Sequence, residues 1–189
     1  MTHEDIIHLI QTDSWMMEIL TATKSLNLPD WWIGAGFIRS KVWDTLHEYT
    51  ERTAIPDIDV IYFDPHDFTD IEASQDSTAR EIEYEKKLFR ILPTVQWSVT
   101  NQARMHTFHQ DEQYHSSTEA LSKWVETATC IGATLDSDNR VILTTPHGID
   151  DLVQLIVRPT IGTDLEQFYK RIENKKWLTK WPKLTVLTD

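Results

Sequence analysis

Residues 57–64 read DIDVIYFD, between Pro56 and Pro65. The run is short, β-branched and aromatic, and proline closes it at both ends, so it is the clearest strand in the chain. Side chains at i and i+2 of a strand point the same way, roughly 6.5–7 Å apart along the chain. Asp57 and Asp59 therefore share one face of an otherwise apolar segment. Two carboxylates so placed repel each other and are costly to desolvate. A hard divalent cation, Mg²⁺ or Mn²⁺, relieves both costs and leaves coordination positions for water and phosphate oxygens. The plainer alternative is a pair of acids at the wet start of an edge strand.

Upstream, residues 31–44 read WWIGAGFIRSKVWD. WWIG is a short buried strand ending at Gly34, and residues 36–49 form a helix with Phe37, Val42, Trp43 and Leu46 on its inner face. Gly34 and Gly36 let backbone amides approach a ligand closely, and amides just before a helix can hold phosphate oxygens. Arg39, near the first turn, is placed to bind phosphate, to pair with Asp44 or to sit in solvent. GAGFIR has neither the GxGxxG spacing nor the GK[ST] of a P-loop. Further upstream, residues 4–23 carry one imperfect helical stripe, broken by LNLPD.

Downstream, residues 65–77 are polar and turn-like, and 78–91 are helical with Glu83 and Lys87 as an i,i+4 pair. VQWSV (95–99) is a second strand, with Val95, Trp97 and Val99 on one side and Gln96 and Ser98 on the other. NQARMHTFH (101–109) is helical. Asn101 is a candidate N-cap or ligand contact. Gln102 and Arg104 either touch base or phosphate or serve the surface. Residues 117–128 form another helix, with Leu121, Trp124 and Val125 facing in. CIGATL and RVILTT flank the turn DSDN as a hairpin. Asp150 and Asp151, in PHGIDDL, either touch a ligand from a helix start or cap the helix, and Arg158, in VRPT, counters a triphosphate or an acidic cluster. Residues 163–178 make a last helix, and WPKLTVLTD is a tail.

The chain is 189 residues long with formal net charge −12, one domain's worth of sequence with no linker or repeat. Such an acidic chain is a poor long-range attractor for long nucleic acid. The excess is uneven: residues 158–189 hold four acids against seven Lys/Arg, a net of +3. Cys130 has no internal partner and reads as buried and inert. His106, His109 and His115 do not combine with it in any zinc-ligand spacing. No apolar run approaches the ~20 residues of a membrane span, and the start, MTHEDIIHLI, lacks the basic leader and long apolar stretch expected of a signal peptide. Cytoplasmic is the expected location. Most of the eight tryptophans are core anchors; Trp31, Trp32 or Trp43 is the candidate to stack on a base.

The runs WWIGAGFIRSKVWD, DIDVIYFD, WSVTNQARMH, ETATCIG and VRPT, with KWLTKWPKL near the end, resemble a bacterial nucleotidyltransferase-like family. The resemblance implies an α/β (α+β) domain: a nucleotidyltransferase-like mixed β-sheet flanked by helices, with a C-terminal hairpin and helix. It implies that Gly34 and Gly36 form the phosphate turn and that Asp57 and Asp59 bind metal. It also implies transfer of a nucleoside monophosphate from an NTP to a hydroxyl acceptor. A third carboxylate is expected from the neighbouring strand, where this chain has Ser98. The resemblance therefore also admits a catalytically degenerate protein that binds nucleotide or a protein partner. Sequence names neither the acceptor nor the oligomeric state.

Overall fold

The structure, a computed structural model, describes residues 1–67, 78–109 and 111–188. Most of the predicted turn at 65–77 lies outside these residues. In chain order the first elements are α1 (His3–Gln11), α2 (Ser14–Lys24), β1 (Trp32–Gly34), α3 (Gly36–Leu46) and β2 (Ile58–Tyr62). Then come α4 (Ala79–Ile91), β3 (Trp97–Asn101), α5 (His106–His109) and α6 (Ser117–Ser122). The chain closes with β4 (Gly132–Leu135), β5 (Val141–Thr144), α7 (Asp150–Val153), β6 (Ile156–Val157), α8 (Leu165–Lys175), α9 (Trp177–Lys180) and β7 (Thr185–Val186).

Five strands form a mixed sheet in the order β3-β2-β1-β4-β5. β2 and β3 are parallel, and α4 makes the crossover that parallel neighbours require. The other pairings are antiparallel, and β4–β5 is the predicted hairpin. β2 is buried at Ile58, Val60, Ile61 and Tyr62, which leaves Asp59 as its half-exposed position. β3 alternates as its sequence predicts, with Trp97, Val99 and Asn101 in and Ser98 and Thr100 half-exposed. Among the described residues, no helix is long and apolar enough to cross a membrane.

Four local expectations need correction. The stripe at 4–23 is two helices, because Asp13 caps α2 by accepting from Met16 N (3.1 Å) and holds Lys41 and Arg52 in ion pairs at 2.8 Å. The helix at 117–128 ends at Ser122; Glu126 instead bridges to Pro159, and Thr127–Thr129 make a 3₁₀ turn. The last helix stops at Lys175, since Lys176 turns left-handed (φ 53°) before α9. The tail is ordered: β7 pairs in parallel with β6, and Trp181 is buried, its indole N–H donating to Asp44 Oδ1 at 2.7 Å.

Candidate active site

β1 delivers the chain to a sharp turn. The residue with positive φ there is Ala35 (φ 49°, ψ −120°), not either flanking glycine. Holding an alanine there costs on the order of 1–3 kcal/mol, a strain that concentrates at functional sites. Gly34 is needed for packing: a Cβ would stand 3.0 Å from the Trp124 ring. A Cβ at Gly36 would meet only ordinary contacts, the Arg39 guanidinium and Ile55 at 3.5 Å. No side chain caps α3, so its first amides are left to whatever lies before the helix.

What lies there is a cleft of about 410 Å³ lined by Ala35, Asp57, Asp59, Gln102, Tyr114, Trp124, Arg171, Lys175 and their neighbours. A narrow recess of about 70 Å³ continues behind the two aspartates to Gly36, Arg39 and Ser40. Asp57 stands just before β2 and Asp59 within it, and both line the two cavities. Burial first, then the charge of Asp57, pushes the Asp59 carboxyl up to about 6; Lys175, Arg39 and Arg171 pull the other way. The pair is thus a carboxylate set held under repulsion, a donor set that fits a hard divalent cation. Ser98 lies directly across from Asp59 in the β2–β3 register.

Arg39 is neither in solvent nor paired with Asp44. It is 7% exposed, and its guanidinium lies 4.4 Å from the Trp177 ring centroid and 5.2 Å from that of Trp43. Asp44 is occupied by Thr53 and Trp181. Among the described residues, Arg39 Nε has no hydrogen-bond partner. Desolvation lowers its pKa to about 10, against the opposing charges of Glu126 and Asp59.

Gln102 lines the cleft, its amide near Thr100 O (3.4 Å). Asn101, Arg104 and Arg158 do not line it. Asn101 clamps the ends of β2 and β3, accepting from Asp64 N (3.0 Å) and Ala103 N (3.1 Å) and donating to Asp64 O (2.9 Å). Arg104 pairs with the fully buried Glu81 at 2.6 Å. Arg158 pairs with Asp151 at 3.1 Å, the acidic-cluster alternative. Trp31 and Trp43 are core residues, Trp43 packing edge-on to Trp177 and Trp181. Trp124 is the cleft tryptophan. Cys130 is buried, its thiol pushed up to about 12.

The cleft cations Arg171 and Lys175, one turn apart on α8, were not among the residues expected from sequence. Glu126, 0% exposed, aims the first of them: Arg171 Nε donates to Glu126 Oε1 at 2.6 Å, and Thr129 Oγ1 donates to Oε2 at 3.1 Å. The only local signal was the net +3 of residues 158–189.

A sequence model of the nucleotidyltransferase family matches residues 21–186. The chain belongs to the nucleotidyltransferase family. A solved NMR structure, described as revealing a CCA-adding enzyme head domain, is 32% identical, with TM-score 0.83 over 100% of this chain and 97% of that one. The Thermotoga maritima CCA-adding enzyme complexed with tRNA shares 13% identity and TM-score 0.56 over 99% of this chain and 42% of that one. A CCA-adding enzyme in complex with CTP shares 10% identity and TM-score 0.51 over 95% and 48%. These two show the fold, and this nucleotidyltransferase chain spans under half the length of either. No curated protein matches.

Proposed function

We propose that this chain is one catalytic domain that uses a divalent cation, Mg²⁺ or Mn²⁺, to transfer a nucleoside monophosphate from an NTP to a hydroxyl acceptor. The observation that carries the reading is the meeting of Asp57 and Asp59, under mutual repulsion, with the uncapped start of α3 in one cleft. An NTP as donor is supported by the CTP complex of a fold neighbour.

Asp57 and Asp59 would hold the cation. Once bound, it supplies charge neutralisation at the phosphates and activation of the acceptor hydroxyl. Gly36, Arg39 and Ser40 line the recess beside the aspartates, and the leaving pyrophosphate is assigned to its mouth. Gln102, Tyr114 and Trp124 line the cleft wall to which the nucleoside is assigned. The acceptor oxygen bonds to the α-phosphorus, the bond to the β-bridging oxygen breaks, pyrophosphate leaves and the hydroxyl proton passes to water. Arg39, held rigid between indoles, meets the charge that develops on pyrophosphate without reorganising.

Calorimetric titration of Mg²⁺ and NTP into the native chain, Asp57→Asn and Asp59→Asn tests the reading. Metal-dependent NTP binding by the native chain alone is expected; three identical profiles would sink it. Ser98 favours a second reading, a retired transferase that binds nucleotide without turnover, because a hydroxyl sits where a third carboxylate is expected. Under that reading Ser98→Asp gains divalent affinity and turnover, whereas robust turnover by the native chain excludes it.

A further inference from the structure

The cleft does not end at the nucleoside wall. A second cavity of about 430 Å³ opens beside it, lined by Val125, Thr163, Gln167, Lys170, Arg171, Asn174 and Lys175. Val125, Arg171 and Lys175 line both cavities, so the two meet at these side chains, and the charges of Arg171 and Lys175 both reach Asp59. The chemistry changes at that boundary. The first cavity sets three cations, Lys123, Arg171 and Lys175, against two acids, and adds two aromatic rings, Tyr114 and Trp124. The second has three cations, an asparagine, a glutamine and a threonine, with no acid and no ring.

These residues share one helix surface: Gln167, Lys170, Arg171, Asn174 and Lys175 fall at three- and four-residue steps along α8. Arg171 is fixed in place by the buried Glu126. Among the described residues Lys170 pairs with Glu166, an exposed i,i+4 pair that contributes little and releases the amine readily. Lys175 has no hydrogen bond or ion pair among the described residues. In the second cavity the three cations face no lining acid, and the two shared ones, Arg171 and Lys175, carry that positive wall up to the cavity of Asp57 and Asp59. Such a pocket suits an anion that must be held next to the α-phosphate but apart from the triphosphate recess.

We infer that this second cavity is the acceptor subsite and that the acceptor carries a phosphate beside its reactive hydroxyl. The inference rests on the transferase reading and deepens it. Lys170, Arg171 and Lys175 hold the acceptor's phosphate, and Gln167, Asn174 and Thr163 hold the sugar or chain that bears the hydroxyl. The hydroxyl then faces Asp57 and Asp59 across the shared wall. A sugar phosphate and the end of an RNA strand both have this chemistry.

Amide NMR titrations of the metal-free full chain separate these outcomes, with ribose 5-phosphate, ribose and a 5′-phosphorylated RNA trinucleotide as probes. The phosphorylated probes are expected to shift residues 163–175, and ribose is not. Lys170→Gln combined with Asn174→Ala weakens the phosphorylated probes about tenfold, the loss expected for one charge-assisted contact. Asp59→Asn leaves them bound at least as tightly. Binding by ribose 5-phosphate indicates a small acceptor; binding by the trinucleotide alone indicates an RNA end. Equal binding of ribose and ribose 5-phosphate, no shift in 163–175, or native affinity in the double variant overturns the inference. Loss of Mg²⁺-dependent NTP binding bears on the transferase reading instead, and is read separately with Asp59→Asn.

Discussion

Replacing Asp59 by asparagine should make the metal-free protein more stable at neutral and alkaline pH, although it removes a residue the function needs. The folded chain holds this carboxyl at about 6, against 3.8 for an unperturbed one, chiefly through burial and the charge of Asp57. Between those values the folded state binds more protons than the unfolded state, so raising the pH there costs stability. Below about 4 the penalty is absent, because the carboxyl is protonated in both states; above about 6 it is fully present. At about 1.36 kcal/mol per pH unit the penalty reaches roughly 3 kcal/mol, an upper bound for a group that is only partly enclosed. A neutral amide at this position carries no such penalty. For a chain of this size a gain of that order raises the Tm by roughly 6–12 °C. Thermal and urea unfolding in EDTA at about pH 4.5 and pH 8 would measure it, with the variant-minus-native difference cancelling all other titrations. The variant should gain stability as pH rises, with about 1 kcal/mol of the difference present at about pH 4.5 and the full difference at about pH 8. Added Mg²⁺ or Mn²⁺ should narrow the gap by stabilising only the native chain. A difference that does not change with pH, or a variant less stable at about pH 8 without metal, would refute the claim that Asp59 is held under charge strain.

Three further substitutions read the geometry around the cleft. Gly34→Ala puts a Cβ 3.0 Å from the Trp124 ring, so urea unfolding should show a loss of about 1–2 kcal/mol from overpacking, and NTP binding should weaken as the ring shifts. Ala35→Gly removes the positive-φ strain at the start of α3 and should add about 1 kcal/mol by the same measurement, with an unchanged fold by NMR. Glu126→Gln removes the carboxylate that aims Arg171; a stability loss of about 1–3 kcal/mol is expected, together with weaker nucleotide binding in calorimetry.

What sequence could disclose divides by distance along the chain. DIDVIYFD, WWIG and the DSDN hairpin were legible because alternation, β-branching and turn residues act over a few positions. That Asp57 and Asp59 line the same cavities was legible because residues two apart in an extended segment need no tertiary information to point the same way, even though the strand itself begins only at Ile58. Arg171 and Lys175 stand more than a hundred residues from those aspartates, and nothing local marks them. Closeness to the site in sequence suggested ligand contact for Asn101 and Arg104, but Asn101 takes its other expected role, capping the 3₁₀ turn by accepting from Ala103 N. Glu81 claims both, accepting from Asn101 N and Arg104 Nη2 at 2.6 Å each. A signal for Glu81 was present: Thr78 and Glu81 form a capping box, and both capping bonds are made. Trp124 was placed on an inner helix face, but the helix stops at Ser122, and the ring is seated on Gly34 instead.

The charges in the cleft have not cancelled one another, and this asymmetry carries the functional reading. Asp59 is close enough to Arg39, Arg171 and Lys175 to feel all three, yet among the described residues no ion pair joins it to any of them. Arg171 is committed to Glu126 and Arg39 to two indole faces. Folding therefore leaves a repelling pair of carboxylates and a buried guanidinium side by side and mutually unsatisfied. A fold selected for stability alone would let them pair, or replace them with apolar groups of the same shape. A bound metal and phosphate satisfy both at once, the cation resting on Asp57 and Asp59 and the anion on Arg39 and the α3 amides. Neither ligand alone does so: a phosphate without a cation meets two carboxylates, and a cation without a phosphate leaves Arg39 unmatched. The two ligands should therefore bind cooperatively, each raising the affinity for the other by the same factor. Separate calorimetric titrations of Mn²⁺ and of NTP, each repeated with the other present, measure that factor from both directions. If each binds equally well alone, the two charge clusters do not share one complex, and the cleft has some other occupant.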